Sequence, residues 1–203
     1  KNKSDEKWLK RAASRMDSKD CSDDPLFVEL VEALHSLSPS ADSAYYLGIL
    51  KDKAGNTTEA IAFYEESLTL ESDAYRKAEI LYKIAAKLKK RGLKSQARKY
   101  ANQALANKPS MGKAYILIAG LYADSANDCG NNQFEKQAVY WLAAQTARRA
   151  AIVDPSLKKT SQKLEASYSG RAPSKTDIFT QGKAGEVISF DCWIRSTVTV
   201  PNL

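Results

Sequence analysis

The stretch AYYLGILKDKAGNTTEAIAFYEESLTLES, residues 44–72, sets Leu47 and Gly48 side by side, Ala60 twelve residues on and Tyr64 four beyond. A glycine or alanine on one helix lets a second helix approach closely, and an aromatic ring fills the gap beside it. The stretch therefore reads as two helices packed together. Such a pair cannot bury its own apolar face, so the chain is expected to stack several pairs and to present a binding surface.

The pattern returns along the chain. The small residue of the second helix recurs at Ala97, 37 positions after Ala60, and at Ala143, 46 further on. In the first helix Gly48 is followed by Ala85 after 37 residues and by Ala119 after 34, while Pro109 and Pro155 are again 46 apart. Three extra residues are thus expected before the first helix of the third pair, around residues 72–76. Twelve more are expected between the helices of the fourth, near 124–136. An upstream pair runs from Trp8 and Ala12 through Phe27, Val31 and Leu34 to Pro39, where proline closes the helix as Pro109 and Pro155 do. The units fall near 5–40, 41–77, 78–111 and 112–155.

This skeleton, with L-G in the first helix, A-x3-aromatic in the second and a closing proline at a spacing near 34, resembles the tetratricopeptide repeat. The resemblance implies an all-α fold: a right-handed α-solenoid of about four helix pairs over residues 1–155. Residues 156–203 add a different ending. Leu157, Leu164 and Tyr168 share one face with Lys158, Lys159 and Lys163 around it, which predicts a capping helix over the last repeat. Ser174 with Asp177 reads as a capping box opening a short helix. Ile188, Phe190, Cys192 and Ile194 alternate with Ser189, Asp191 and Trp193, and 197–200 is rich in β-branched residues, which predicts a β-hairpin lying on the helices by that face.

Three runs narrow the resemblance: KDCSDDPLF at 19–27, CGNNQFEKQAVYW at 129–141 and ISFDCWIRSTVTV at 188–200. They are similar to landmarks of a bacterial group of secreted tetratricopeptide proteins with a cysteine-bearing insertion and a C-terminal hairpin. That resemblance implies an extracytoplasmic, non-enzymatic protein, periplasmic or associated with the outer membrane, with further repeats upstream. Where the group carries an arginine after the last strand, this chain has Val200, Pro201 and Asn202. With export implied, a Cys129–Cys192 disulfide would pin the hairpin to the insertion, and Cys21 would stay free. The alternative is a pair of buried thiols in a reducing compartment.

Composition agrees with a sizeable core: 203 residues, 43% hydrophobic and 27% charged. No apolar run approaches the roughly 20 residues of a membrane span. The chain opens at Lys1 without methionine or an apolar leader, which reads as a processed chain or a piece of a longer one. Enzymatic constellations are largely absent: the one Cys/His pairing on offer, Cys21 with His35, lacks an orienting third group. His35 is the sole histidine and reads as structural; the four aspartates of 17–24 lack the spacing and glycine of a calcium loop, and no phosphate-binding glycine motif occurs. Neither a cofactor nor a metal is expected. Asp24 before Pro25 is read instead as a helix cap.

Charge is uneven. Residues 78–111 hold nine Lys or Arg and one acid, a net +8 against +7 for the entire chain, whereas 41–77 is net −3. Lys83, Lys87, Lys89, Lys90, Arg91 and Lys94 crowd the end of one helix. This is either a solvated face or attraction to an acidic peptide, polysaccharide or other polyanion; nucleic acid is disfavoured, because no aromatic residues interleave the lysines.

In tetratricopeptide stacks the first helices line the concave groove. Carried onto this chain, that face comprises Leu9, Ala13 and Met16, then Asp42, Tyr45 and Ile49, then Glu79, Tyr82, Ala86 and Lys89, then Lys113, Ile116 and Gly120. The Lys and Asn of carboxylate-clamping relatives are missing at Tyr45, Ile49, Tyr82 and Ala86, so capture of a chaperone C-terminus is not expected. Tyr45 and Tyr82 are expected to be partly exposed anchors for a protein or peptide. The function expected is an interaction module or assembly scaffold of the bacterial cell envelope. The alternative is a polyanion- or carbohydrate-binding accessory protein using the basic third unit.

Overall fold

A computed structural model describes residues 4–203. It contains ten α-helices and one two-stranded antiparallel sheet among those residues, divided between two compact units, Lys1–Ile80 and Leu81–Leu203.

The first unit pairs α1 (Glu6–Ser18) with α2 (Pro25–Leu37), and α3 (Ala41–Lys53) with α4 (Thr57–Leu70). The local sequence states where each helix begins. The Asp5 carboxylate accepts from the Trp8 N–H, Asp24 accepts from Leu26 N–H with Pro25 at the first helical position, and Ser40 forms a reciprocal capping box with Ser43. Gly55, at φ +84°, turns the chain between α3 and α4, and Gly92 at +74° does the same after α5 (Ala74–Lys90); both positions lie in the left-handed region where a side chain would be strained.

The core of this unit is the contact read first. Gly48 lies flat against the Tyr64 ring, and the Ala60 carbonyl is 3.2 Å from where its missing Cβ would sit. Tyr45 stacks 5.7 Å from Tyr64 and the same distance from Tyr46, whose ring meets Phe27 edge-on at 5.8 Å. The buried Ser67 hydroxyl donates to the Ala41 carbonyl at 2.6 Å, tying the end of α4 to the start of α3. Burial raises the Tyr45 phenol well above its ordinary range and pushes Tyr46 up to about 12. Unfolded tyrosine ionises near 10, so the neutral rings add stability in full below pH 10 and lose it as pH rises toward 12. Alkaline unfolding of α3 and α4, followed by hydrogen exchange quenched from pH 9 to 12, is expected to begin near pH 10. Tyr46→Phe is expected to shift it upward.

One expectation is corrected here. The three extra residues of the third pair do not form a connection before its first helix; α5 begins at Ala74 and runs 17 residues, against 13 for α1 and α3. They lengthen the helix by about a turn. Glu71 closes the short gap: its carboxylate accepts from Ser72 and Asp73 N–H and pairs with Arg76 Nε at 2.9 Å.

The second unit takes over within α5 and holds α6 (Lys94–Asn107), α7 (Gly112–Ala123), α8 (Gln133–Val153), a 3-10 turn at Pro155–Leu157, α9 (Lys158–Ser169) and α10 (Lys175–Gln181). The connection between α7 and α8 occupies 124–132 as successive turns. The remainder of the twelve extra residues, placed by sequence in the insertion, is helical: α8 has 21 residues against 12 in α7. Asn132 caps it by accepting from Glu135 N–H. α9 packs on α8, with the buried Ser161 hydroxyl donating to the Ala147 carbonyl. Leu157, Leu164 and Tyr168 are only half-buried there. The Ser174–Asp177 capping box opens α10, and the hydrogen bonds from Ser174 hold the Asp177 carboxyl below its usual range.

The hairpin pairs β1 (Val187–Phe190) with β2 (Ser196–Thr199), Ile188 opposite Val198 and Phe190 opposite Ser196. Its alternation is shorter than the sequence suggests. Pairing stops at Phe190, and 191–194 is a turn in which Ile194 is nevertheless buried, as are Ile188, Phe190, Val198 and Val200.

Three anchors hold that turn. Cys129 and Cys192 are joined, with Cα atoms 5.6 Å apart. Arg98 of α6 donates to the carbonyls of Ile194 and Trp193, the latter at 3.1 Å, while its guanidinium lies 5.1 Å from the Trp193 ring. The Trp193 indole donates to Ser125 Oγ at 3.2 Å, and that buried hydroxyl donates to the Leu121 carbonyl at 2.9 Å.

Candidate interaction site

Four of the seven residues expected to bind a partner meet in one cleft of the second unit. Tyr82 from α5, Lys113 and Ile116 from α7, and Lys89 line a cavity of about 430 Å³ together with Ala86, Lys90, Leu117, Leu157 and Thr160. The i, i+4, i+7 spacing of Tyr82, Ala86 and Lys89 puts them on one face of α5. Lys113 and Ile116 answer from α7, and the 3-10 turn with the first turn of α9 supplies Leu157 and Thr160.

The cleft has an apolar floor and a cationic rim. The Lys113 ammonium lies 4.5 Å from the centre of the Tyr82 ring, a cation–π contact that fixes both side chains. Lys89 crosses α7 where Gly120 leaves room for its ammonium, and reaches Asp124 Oδ2 at 3.5 Å. The chemistry on offer is a flat aromatic surface and aliphatic contacts beside positive charge. Among the described residues, no carboxylate, histidine or cysteine lines it.

The other three expected residues are placed differently. Tyr45 is 4% exposed and Ile49 is fully buried, so neither can anchor a partner. The cause is the ring packing around Tyr64: α3 is covered on more than one face, leaving no open groove at those positions. Asp42 is half-buried and engaged by Lys10 Nζ at 2.7 Å and Arg76 Nη2 at 3.4 Å. Glu79 and Tyr82 fall on opposite sides of the division between units.

The basic cluster is partly consumed within the protein. Lys94 donates to the Asp124 carbonyl at 2.6 Å and to Asp128 Oδ2 at 2.8 Å, Lys89 faces Asp124, and Arg98 is spent on the hairpin. Lys83, Lys90 and Arg91 are exposed and Lys87 is half-buried. His35 has a structural setting: Nδ1 shares a 3.0 Å hydrogen bond with Ser43 Oγ and the ring meets Phe63 edge-on. Cys21 is exposed, its thiol directed to the Lys19 carbonyl at 3.5 Å. Sequence reasoning missed Arg98, Trp193 and Ser125. The one local signal for Arg98 is an arginine in mid-helix with no acidic residue three or four positions away.

Helix pairs joined by glycine turns, knitted by small residues against aromatics and carrying an open aromatic cleft, define a helical-repeat binding protein. The chain belongs to the tetratricopeptide-repeat proteins. No family model matches it. Photosystem I assembly protein Ycf3 of Cuscuta gronovii is 30% identical over 112 residues, which cover 51% of this chain and 67% of that protein. Its counterpart from Cyanophora paradoxa is 33% identical over 110 residues, 50% of this chain and 64% of the relative. Among solved structures, Pseudomonas aeruginosa pilF aligns over 90% of this chain and 78% of its own with a TM-score of 0.50 at 12% identity, a likeness of fold.

Proposed function

We propose that the chain is a non-enzymatic interaction module or assembly scaffold of the bacterial cell envelope. It holds a protein or peptide partner in the cleft of Tyr82, Lys113 and Ile116. The observation carrying this is the cleft itself, where an aromatic ring, apolar side chains and three lysines converge on about 430 Å³ of open space. Such a surface suits an apolar side chain flanked by a carboxylate. The relatives that share its sequence pattern are named for assembling a complex, which favours a scaffold. Location outside the cytoplasm is supported by the Cys129–Cys192 pairing, since such bonds persist in oxidising compartments.

A photo-crosslinking residue placed at Ile116 should trap a discrete protein from envelope extract, whereas the same residue at exposed Ile152 should not. Ile116→Asp and Tyr82→Ala should each weaken the recovered partner's binding by at least about tenfold, or 1.4 kcal/mol, and Lys83→Glu/Lys87→Glu should leave it within about threefold. The second reading, a polyanion ligand for the basic third unit, requires the reverse ranking, together with affinity falling steeply as salt rises.

A further inference from the structure

The three lysines of the cleft are not equivalent. Lys113 packs on the Tyr82 ring at 4.5 Å, and Lys90 is exposed at the rim. Lys89 lies inside, along α7: a Cβ at position 120 would run into its ammonium, so the side chain fills a slot that Gly120 leaves open. The carboxylate it faces there, Asp124 Oδ2, is 3.5 Å away, against 2.8 Å for Lys94 with Asp128 and 2.7 Å for Lys51 with Glu59. Asp124 itself is held at the end of α7 by Lys94, which donates to its carbonyl at 2.6 Å. A loose ion pair between partly exposed groups contributes little, so a second carboxylate can displace it.

We propose, resting on the reading of this cleft as a peptide site, that Lys89 is its specificity-determining residue. It reads a Glu or Asp two residues from the partner's apolar anchor, and Asp124 is a built-in competitor that holds Lys89 until that acid replaces it. The spacing follows from α7. Ile116 belongs to the apolar floor, and Gly120, beneath the ammonium, is one turn further, about 6 Å along the helix. An extended segment advances about 3.3 Å per residue and returns a side chain to the same face at every second position. The acid therefore stands at i+2 or i−2 from the anchor, whereas an adjacent acid points away. Asp124 keeps the affinity down in two ways: it offers Lys89 an alternative partner, and it repels the incoming carboxylate.

The test uses the whole chain and three capped peptides: Glu-Ser-Leu-Ser-Glu, its isomer Ser-Glu-Leu-Glu-Ser with the same charge, and Gln-Ser-Leu-Ser-Gln. Titrations followed by NMR read the Ile116 methyls, which report occupation of the cleft, and the Lys89 side chain, which reports the exchange of carboxylates. The first peptide should move both signals and bind about twofold more tightly than the other two. Asp124→Asn should widen that preference to about fivefold, the scale of one partly exposed ion pair, and Lys89→Gln should erase it. Both side chains are partly exposed, so thermal melts of the variants should match the parent. Equal binding of the two acidic isomers, or weaker binding of the first peptide to Asp124→Asn, would overturn the proposal while leaving the cleft a peptide site. Ile116 methyls unmoved by every peptide would sink the peptide-site reading and the proposal together.

Discussion

Cys192→Ser lowers the melting temperature of the oxidised protein by roughly 10 °C, while Cys21→Ser leaves it unchanged. The bridge joins residues 63 apart, and closing a loop of that size removes about 4 kcal/mol of denatured-state freedom in the chain-entropy account. At about 2–4 °C per kcal/mol for a chain of this length, the expected drop follows. The loss is local in its first effect. A two-stranded hairpin is marginal alone, so amides of 187–200 should exchange faster in the variant even at temperatures where α7 and α8 stay protected. Arg98 and Trp193 remain to hold the turn, so the hairpin loosens without detaching. Mass spectrometry finding all three thiols free in protein from its native compartment would remove both this expectation and the argument for export.

The second large effect is expected at Gly48. Any side chain there collides with the buried Tyr64 ring, and overpacking of this kind costs about 1–3 kcal/mol or more. Gly48→Leu should sit at the top of that range, despite the roughly 1 kcal/mol by which leucine is the better helix former. Tyr64→Ala should cost about 3–5 kcal/mol by opening a cavity. Together the two should be less harmful than their sum, because the leucine enters the space the ring vacates. Denaturant midpoints followed through α3 and α4 by hydrogen exchange would read this, and strict additivity would show that Gly48 and Tyr64 are not in contact.

That pair was legible because its physics is local and steric: a residue with no Cβ must face something large, and the period of the chain says what. Tyr45 and Ile49 were misread for a related reason. Periodicity places them on the face that lines a groove in this class, but it says nothing of how many neighbours the helix has. The rings of Tyr46 and Tyr64 close over Tyr45. On α5 and α7, where Lys113 and Lys89 separate the same positions, the groove stays open. The extra residues of the third and fourth pairs could be counted but not assigned. Inserted residues extend a helix or lengthen a loop according to local caps such as Glu71 and Asn132, which a count of repeat spacings does not register. Arg98 was beyond reach, since its partners lie 95 and 96 residues away.

That distance in sequence has a bearing on the order in which the molecule assembles. Sequential pairs such as α1 with α2, α3 with α4, α7 with α8 and α8 with α9 pack on the next stretch of chain, so these pairs can form as they are made and close only short loops. The hairpin must wait: its contacts reach back 68 residues to Ser125 and 96 to Arg98. Long closures are slow and come late. Substitutions at Trp193 or Ile194 should therefore hasten unfolding while leaving the folding rate nearly untouched, the kinetic mark of contacts absent from the transition state. In a newly made chain, the hairpin is synthesised after α6, α7 and the turn between α7 and α8, and it then locks them in place.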